Sequence, residues 1–203
     1  AETYAPRFTW YVFSKVIVSG LNELSASQIQ AEAVNTDVPL SSTFYSSNPL
    51  LNRINSIWQR SQMDNMHGCI ASDCPHRERA GWLCDSFFTA RAAFDLTGKT
   101  DVEQAFFENY QLPEKFEFLP DGMLPMCYPA DHNDGIYIPN WSLWFVAELE
   151  EYALRSPDRS TINGLRRRVE KLFKFFEKYE NSDGLLEKLD SWVFVEWSAA
   201  NNF

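Results

Sequence analysis

With 203 residues, 45% of them apolar and 15% aromatic, the chain has the material for a sizeable buried core, which excludes a disordered or low-complexity segment. Its 28 acidic against 18 basic side chains leave a net charge of −10, a repulsive field for polyphosphates that argues against nucleic acid as a partner. No apolar run approaches the roughly 20 residues of a membrane span, and Ala1-Glu2-Thr3-Tyr4 lacks the basic and apolar regions of a secretion signal.

Residues 1–40 read as strands: Phe8–Phe13 is aromatic and β-branched, Val16–Val18 continues it, and Gln28–Val34 alternates polar with apolar. Two or three strands cannot bury both faces alone, so they must lie on something else or belong to a sheet whose other strands are not in this chain. From Asn48 the period changes. Asn48-Pro49 combines a capping side chain with proline at the first helical position, and Leu50, Leu51, Ile54, Ile57, Trp58 and Ser61 trace one face of a helix running to about His67-Gly68.

A second helix is predicted over Trp82–Leu96, with Phe87, Phe88 and Phe94 inward and Thr97-Gly98 as its stop. Thr100-Asp101-Val102-Glu103 has the form of a capping box, opening a third helix that carries Phe106, Phe107 and Tyr110 and ends before Pro113. Residues 113–139 form a long irregular segment of a length that tends to be functional. A fourth helix follows over Asn140–Arg155, with Leu143, Trp144, Ala147 and Leu149 on its apolar side, closed by Ser156-Pro157. A fifth runs over Ser160–Tyr179 and places Arg166-Arg167-Arg168 on the solvated side of an amphipathic pattern with Leu165, Val169, Leu172 and Phe173. After Asp183-Gly184, the run Trp192–Trp197 has the composition of a short strand or a helix start.

The four cysteines, Cys69, Cys74, Cys84 and Cys127, lack C-x2-C spacing and the three histidines are scattered, so thiols are the default and neither a metal nor a cofactor is expected. The seven Trp and sixteen Phe exceed what a core usually asks for, and such excess often marks a surface that stacks on flat apolar faces, including sugar rings.

The chemistry concentrates in Ser72–Asp85, where Asp73, Glu78 and Asp85 share a short span with Arg77, Arg79 and Trp82. If Glu78 to Asp85 is helical, Glu78, Trp82 and Asp85 stand at i, i+4 and i+7 on one face. A tryptophan beside a carboxyl desolvates it and raises its pKa, as a general acid requires, while a neighbouring arginine holds a second carboxylate ionised. On spacing alone, an Arg/Glu ion-pair cluster at a helix start with Trp82 in the core explains the same residues.

The run Asp73-Cys74-Pro75-His76-Arg77-Glu78-Arg79-Ala80-Gly81-Trp82-Leu83-Cys84-Asp85 closely resembles the Asp-Cys-Pro-x-Arg-Glu-Arg-x-Gly-Trp-x-Gly-Asp signature of bacterial α-L-rhamnosidases of glycoside hydrolase family 78. Phe8-Thr9-Trp10-Tyr11 with Val16–Gly20 resembles the strands before that family's catalytic domain, and Asn48–Asn52 resembles its first barrel helix. The resemblance implies a mainly α fold: an incomplete (α/α)6 barrel of helical hairpins over residues 41–203, preceded over residues 1–40 by a few β-strands from the end of a β-sandwich-like domain.

It further implies inverting removal of terminal α-L-rhamnose from a glycoside or polysaccharide, with Glu78 as general acid. Asp73 and Asp85 would bind sugar hydroxyls, Arg77 and Trp82 would line the pocket, and Trp141 with Trp192 or Trp197 would add walls against the methyl group of rhamnose. The sequence departs from the signature at Cys84, where the family has glycine, which narrows the pocket or packs on the neighbouring helix. An inverting enzyme also needs a second carboxylate as general base. In the family it comes from beyond the matched part, and Glu196 looks more like a wall residue, so the chain reads as the beginning of a barrel cut from a larger enzyme and inactive by itself. A non-catalytic carbohydrate-binding homologue and a six-hairpin glycosidase of other sugar specificity are the alternatives. Oligomeric state stays open, and for a bacterial protein so does the choice between periplasm and cytoplasm.

Overall fold

A computed structural model describes residues 3–68, 70–77, 79–198 and 200. Its regular elements are almost all helical. Helix α1 spans Pro49–Asn65, strands β1 and β2 are Met66–His67 and Ile70–Ala71, and helices α2, α3, α4 and α5 span Leu83–Thr97, Asp101–Gln111, Pro139–Arg155 and Arg159–Phe176.

The Asn48 side chain accepts from Leu50 N at 2.9 Å with Pro49 in the first turn, as the sequence predicts. The helix stops two residues short of the expected His67, because Met66 and His67 leave helical geometry to pair with Ala71 and Ile70 in a small antiparallel ladder. Most of the predicted inner face is exposed: Leu50, Leu51, Ile54, Ile57 and Trp58 face solvent among the described residues, and the helix is held instead through Gln62, whose amide donates to Thr89 O at 3.1 Å.

Helix α2 ends where Gly98 enters the left-handed region at φ 66° and its N–H reaches Phe94 O at 2.7 Å. Phe87 is buried as expected, but Phe88 lies outside the core and is half exposed. In α3, Thr100 occupies the cap position without a side-chain cap bond. The expected capping box does not form, because the Glu103 side chain turns inward and pairs with Arg155 Nη2 at 2.6 Å. Helix α4 buries Trp141, Phe145, Glu148, Leu149 and Tyr152, while Leu143, Trp144 and Ala147 are only half-buried. The buried face is chosen by aromatic packing rather than by the most aliphatic stripe: Phe145 lies 5.0 Å from Tyr110 and 5.2 Å from Phe107, and Tyr152 lies 5.3 Å from Phe107.

Asp158 caps α5 by accepting from Ser160 N and Thr161 N, and the last predicted turn is a separate 3-10 turn, Glu177–Tyr179. Arg166 and Arg167 are solvated, whereas Arg168 turns in over the Phe116 ring and donates to Pro113 O. Phe173, predicted on the apolar side, is half exposed. Between α3 and α4 the irregular segment packs Met123, Leu124, Met126 and Cys127 into the core. It approaches α5 so closely at Gly122 (φ 89°) that a Cβ there would lie 2.4 Å from Lys171 O.

Residues 3–47 carry no strand ladder among the described residues and contain one 3-10 turn, Ala26–Gln28. They dock on the helices through backbone bonds: Thr36 N donates to Met66 O, and Ser41 N and Ser42 N donate to Leu96 O. The Trp192–Trp197 run is neither strand nor helix but irregular chain held against the start of α4.

Candidate active site

The segment that sequence singles out leads directly into α2, and α2 lies alongside α4, so the N-terminal ends of the two helices carry Trp82 and Trp141 to one place. The backbone around Trp82 is not free to be helical. Leu83 N donates to Met126 O at 3.0 Å and Tyr128 N to Gly81 O at 3.1 Å, so Trp82 pairs with Cys127 in a short strand-like bridge. The helix therefore begins at Leu83, and the expected helical face joining Glu78, Trp82 and Asp85 does not form across that boundary. Glu78 itself lies outside the described residues.

An aromatic array extends from Trp82. Its ring meets Trp141 edge-on at 5.7 Å and His132 at 5.6 Å; Trp141 meets Phe194 at 5.5 Å, and Phe194 meets Trp192 at 5.1 Å and Trp197 at 4.8 Å. All four predicted tryptophans thus join one contiguous group. Exposure grades along the group: Trp141 is 9% exposed and lies deepest, Trp82 is half-buried, Trp192 is 37% exposed, and Trp197 at 81% stands at the surface. The distal part is pinned by backbone, since Trp192 N donates to Tyr137 O at 3.2 Å, Tyr137 N donates to Ser191 Oγ at 3.1 Å, and Asn140 Nδ2 donates to Phe194 O at 2.8 Å.

Asp85 is half-buried in the first turn of α2, where the helix dipole favours a negative charge. Asp73 and Arg77 are exposed on the turn that precedes it. Arg79 adopts φ 54°, a left-handed conformation that non-glycine residues rarely take and that clusters at functional sites. Its guanidinium lies 5.1 Å from the Trp10 ring, which in turn stacks on His67 at 4.4 Å. Cys84 is half-buried against the aromatic core, and burial, with Asp85 second, pushes its thiol up to about 11, so it is neutral and unreactive at physiological pH.

Sequence reasoning missed His132, Phe194 and Trp10. His132 sits in the polar run Asp131–Gly135 of the long irregular segment, the one signal that marks it. Phe194 follows Trp192 at period two, and Trp10 stands within Phe8–Phe13, whose composition is that of a strand. A cavity of about 450 Å³ lies elsewhere, between the end of α3, the irregular segment and α5, and no predicted site residue lines it. Glu196 is exposed between Val195 and Trp197. Among the described residues no three His, Cys, Asp or Glu side chains are grouped to hold a metal, and no helix is long and apolar enough to cross a membrane.

Residues 39–203 match the family described as the bacterial alpha-L-rhamnosidase six-hairpin glycosidase domain. An alpha-L-rhamnosidase from Formosa agariphila is 24% identical over 209 residues, covering 99% of this chain and 22% of that protein. One from Streptomyces avermitilis is 27% identical, covering 94% and 18%, and one from an Alteromonas species is 32% identical, covering 62% and 14%. The chain thus spans about a fifth or less of these relatives. In fold it is similar to a glycoside hydrolase family 78 rhamnosidase of Bacillus sp. GL1 (TM-score 0.68, 20% identity, 81% of this chain and 16% of that one). It is also similar to a rhamnosidase from Klebsiella oxytoca with rhamnose bound (TM-score 0.65, 22% identity, 81% and 31%).

Proposed function

Because this chain belongs to the bacterial α-L-rhamnosidase six-hairpin glycosidase family, we propose that it forms one wall of a rhamnose-binding active site and carries the general acid, Glu78, of an inverting hydrolysis. The substrate is a rhamnose-containing glycoside or polysaccharide. The observation that supports this reading best is the aromatic array joining Trp82 to Trp141, Trp192 and Trp197 beside the 73–85 segment. Such a wall suits a sugar whose methyl group and axial hydrogens form apolar faces.

In this reading Glu78 protonates the glycosidic oxygen as the bond to the anomeric carbon breaks, while Asp73 and Asp85 accept hydrogen bonds from sugar hydroxyls and Arg77 donates to them. Water, deprotonated by a second carboxylate roughly 6.5–9.5 Å from the acid, attacks the opposite face of the ring. We assign that base to a part of the protein outside this chain, in keeping with the small share of its relatives that the chain spans. We place the domain boundary near residue 40, with residues 1–40 as the end of a β-sandwich-like domain and 41–203 as the first part of the barrel; the family match beginning at residue 39 supports it.

The test is hydrolysis of an aryl α-L-rhamnoside by the full-length protein. Glu78→Gln lowers kcat by about 10²–10⁴-fold, the usual weight of a positioned acid, while rhamnose binding persists; an unchanged kcat removes Glu78 from the role. The 203-residue chain alone shows no turnover. A second reading, a six-hairpin glycosidase of other sugar specificity, is favoured by Cys84 standing where the family signature has glycine, and a panel of aryl glycosides separates the two.

A further inference from the structure

One group of ionisable side chains lies apart from the sugar wall and is buried where α2, α3 and α4 meet. Glu148 is fully buried, and its Oε1 accepts from Ser86 Oγ at 2.8 Å. Glu103, 5% exposed, accepts from Arg155 Nη2 at 2.6 Å. Arg155 also donates to Glu151 Oε2 at 2.7 Å, and Glu151 is bound in turn by the more exposed Arg91.

Three carboxyl groups thus face two guanidinium groups. Fully ionised, the cluster would bury one uncompensated negative charge, which proteins avoid by taking up a proton. The hydrogen-bond pattern leads to the same result. Among the described residues, Glu103 Oε2 and Glu148 Oε2 are both buried with no donor and Arg155 Nε is buried with no acceptor, and a proton on Glu148 removes the charge that its bare oxygen would otherwise carry there. The other groups facing the pair are the Ser86 hydroxyl from α2, the Tyr110 phenol from α3 and Arg155 from α4, with Lys99 and Asp101 lining a small cavity beside Glu103. None of them adds an uncommitted positive charge next to Glu148.

We infer that Glu148 and Glu103 hold one proton between them at neutral pH, and that Glu148, as half of this singly protonated pair, is a positioning residue that clamps the first turn of α2 onto α4 through Ser86. Ser86 follows Asp85 directly and lies one turn after Trp82, whose carbonyl accepts from Ser86 N at 2.9 Å. On α4, Glu148 is two turns below Trp141. The clamp therefore sets the distance between the two indoles that form the floor and side of the proposed wall. That consequence rests on the sugar-site reading above, whereas the shared proton does not.

Burial pushes both carboxyls up, Glu103 from 4.5 to about 7 even with Arg155 beside it, and Glu148 well above its ordinary range, with Glu103 adding to the rise. The unfolded chain releases the Glu103 proton near 4.5 and the folded chain keeps it to about 7. The folded state binds more protons in that window, so stability is greatest below it and falls as pH rises through it.

The test is the infrared spectrum of the full-length protein at about pH 8, where ordinary carboxyls are ionised and Glu103, titrating at about 7, is largely ionised too. The expected result is a protonated-carboxyl C=O band that Glu148→Gln removes. A wild-type spectrum without that band, or a Glu148→Gln spectrum that retains it, overturns the shared proton. Positioning is read from KM for an aryl α-L-rhamnoside. Glu148→Leu raises it by on the order of tenfold, the size of one buried hydrogen bond, and Glu148→Gln, which keeps an oxygen for Ser86, recovers most of the loss. Equal KM values in the two variants overturn the clamp. If Glu148→Leu does not fold, the wild-type and Glu148→Gln spectra still decide the proton. A full-length protein that shows the band but hydrolyses no rhamnoside retains the proton and refutes the sugar reading alone.

Discussion

Trp82 closes a strand-like bridge through its backbone and leaves its indole half-buried between His132 and Trp141. An indole held by its own backbone ladder is a stiff surface, and stiffness reduces the ordering cost when a ligand settles on it. Trp82→Ala should therefore lower kcat/KM for an aryl α-L-rhamnoside in the full-length protein by about 10- to 100-fold, the worth of one large apolar contact at roughly 1.5–3 kcal/mol. Trp197, 81% exposed, contributes little to the fold. Trp197→Ala should leave the thermal midpoint in place, and a large drop would mean that the segment is structural rather than a wall. At this scale the sequence revealed which residues gather but not how. Pattern alone gave the dense charge of residues 73–85, while the bridge from Trp82 to Cys127 depends on a segment some 45 positions away and leaves no local periodicity to read.

Helix ends follow local rules, and those ends were legible: Asn48-Pro49 opens α1, Thr97-Gly98 closes α2, and Ser156-Pro157 ends α4. Faces follow partners, and several were misread for that reason. The capping-box pattern at Thr100 is outweighed by a half-buried arginine on α4, because Glu103 gains more from Arg155 than from an exposed backbone N–H. On α4, sequence favours Leu143, Trp144, Ala147 and Leu149, of which Leu149 is buried, while the aromatic residues of α3 select Phe145 and Tyr152 over the other three. The start of α5 allows a quantitative check. Asp158 accepts from Ser160 N, from Thr161 N and from the Tyr152 hydroxyl at 2.9 Å, and the Thr161 side chain above all, with these donors, holds its carboxyl below the ordinary carboxylate value. Asp158→Ala should destabilise the protein by about 0.5–2 kcal/mol, as loss of a helix cap does, measurable as a lower denaturant midpoint.

At the scale of the whole molecule, six hairpins require twelve helices and the described residues supply α1 to α5. The exposed apolar stripe of α1 is consistent with that shortfall, since Leu50, Ile54 and Ile57 have no cover among the described residues. The pinning of the Trp192–Trp197 run to the start of α4 by three backbone-directed hydrogen bonds has a dynamic corollary. A segment held at a few points and otherwise irregular opens locally at low free-energy cost, and anything that binds only its closed form slows that opening by mass action. Saturating rhamnose should therefore slow amide deuterium uptake across residues 193–197 of the full-length protein while leaving the middle of α3 unchanged. Uptake that ignores the sugar would confine Trp197 to a bystander role at the rim.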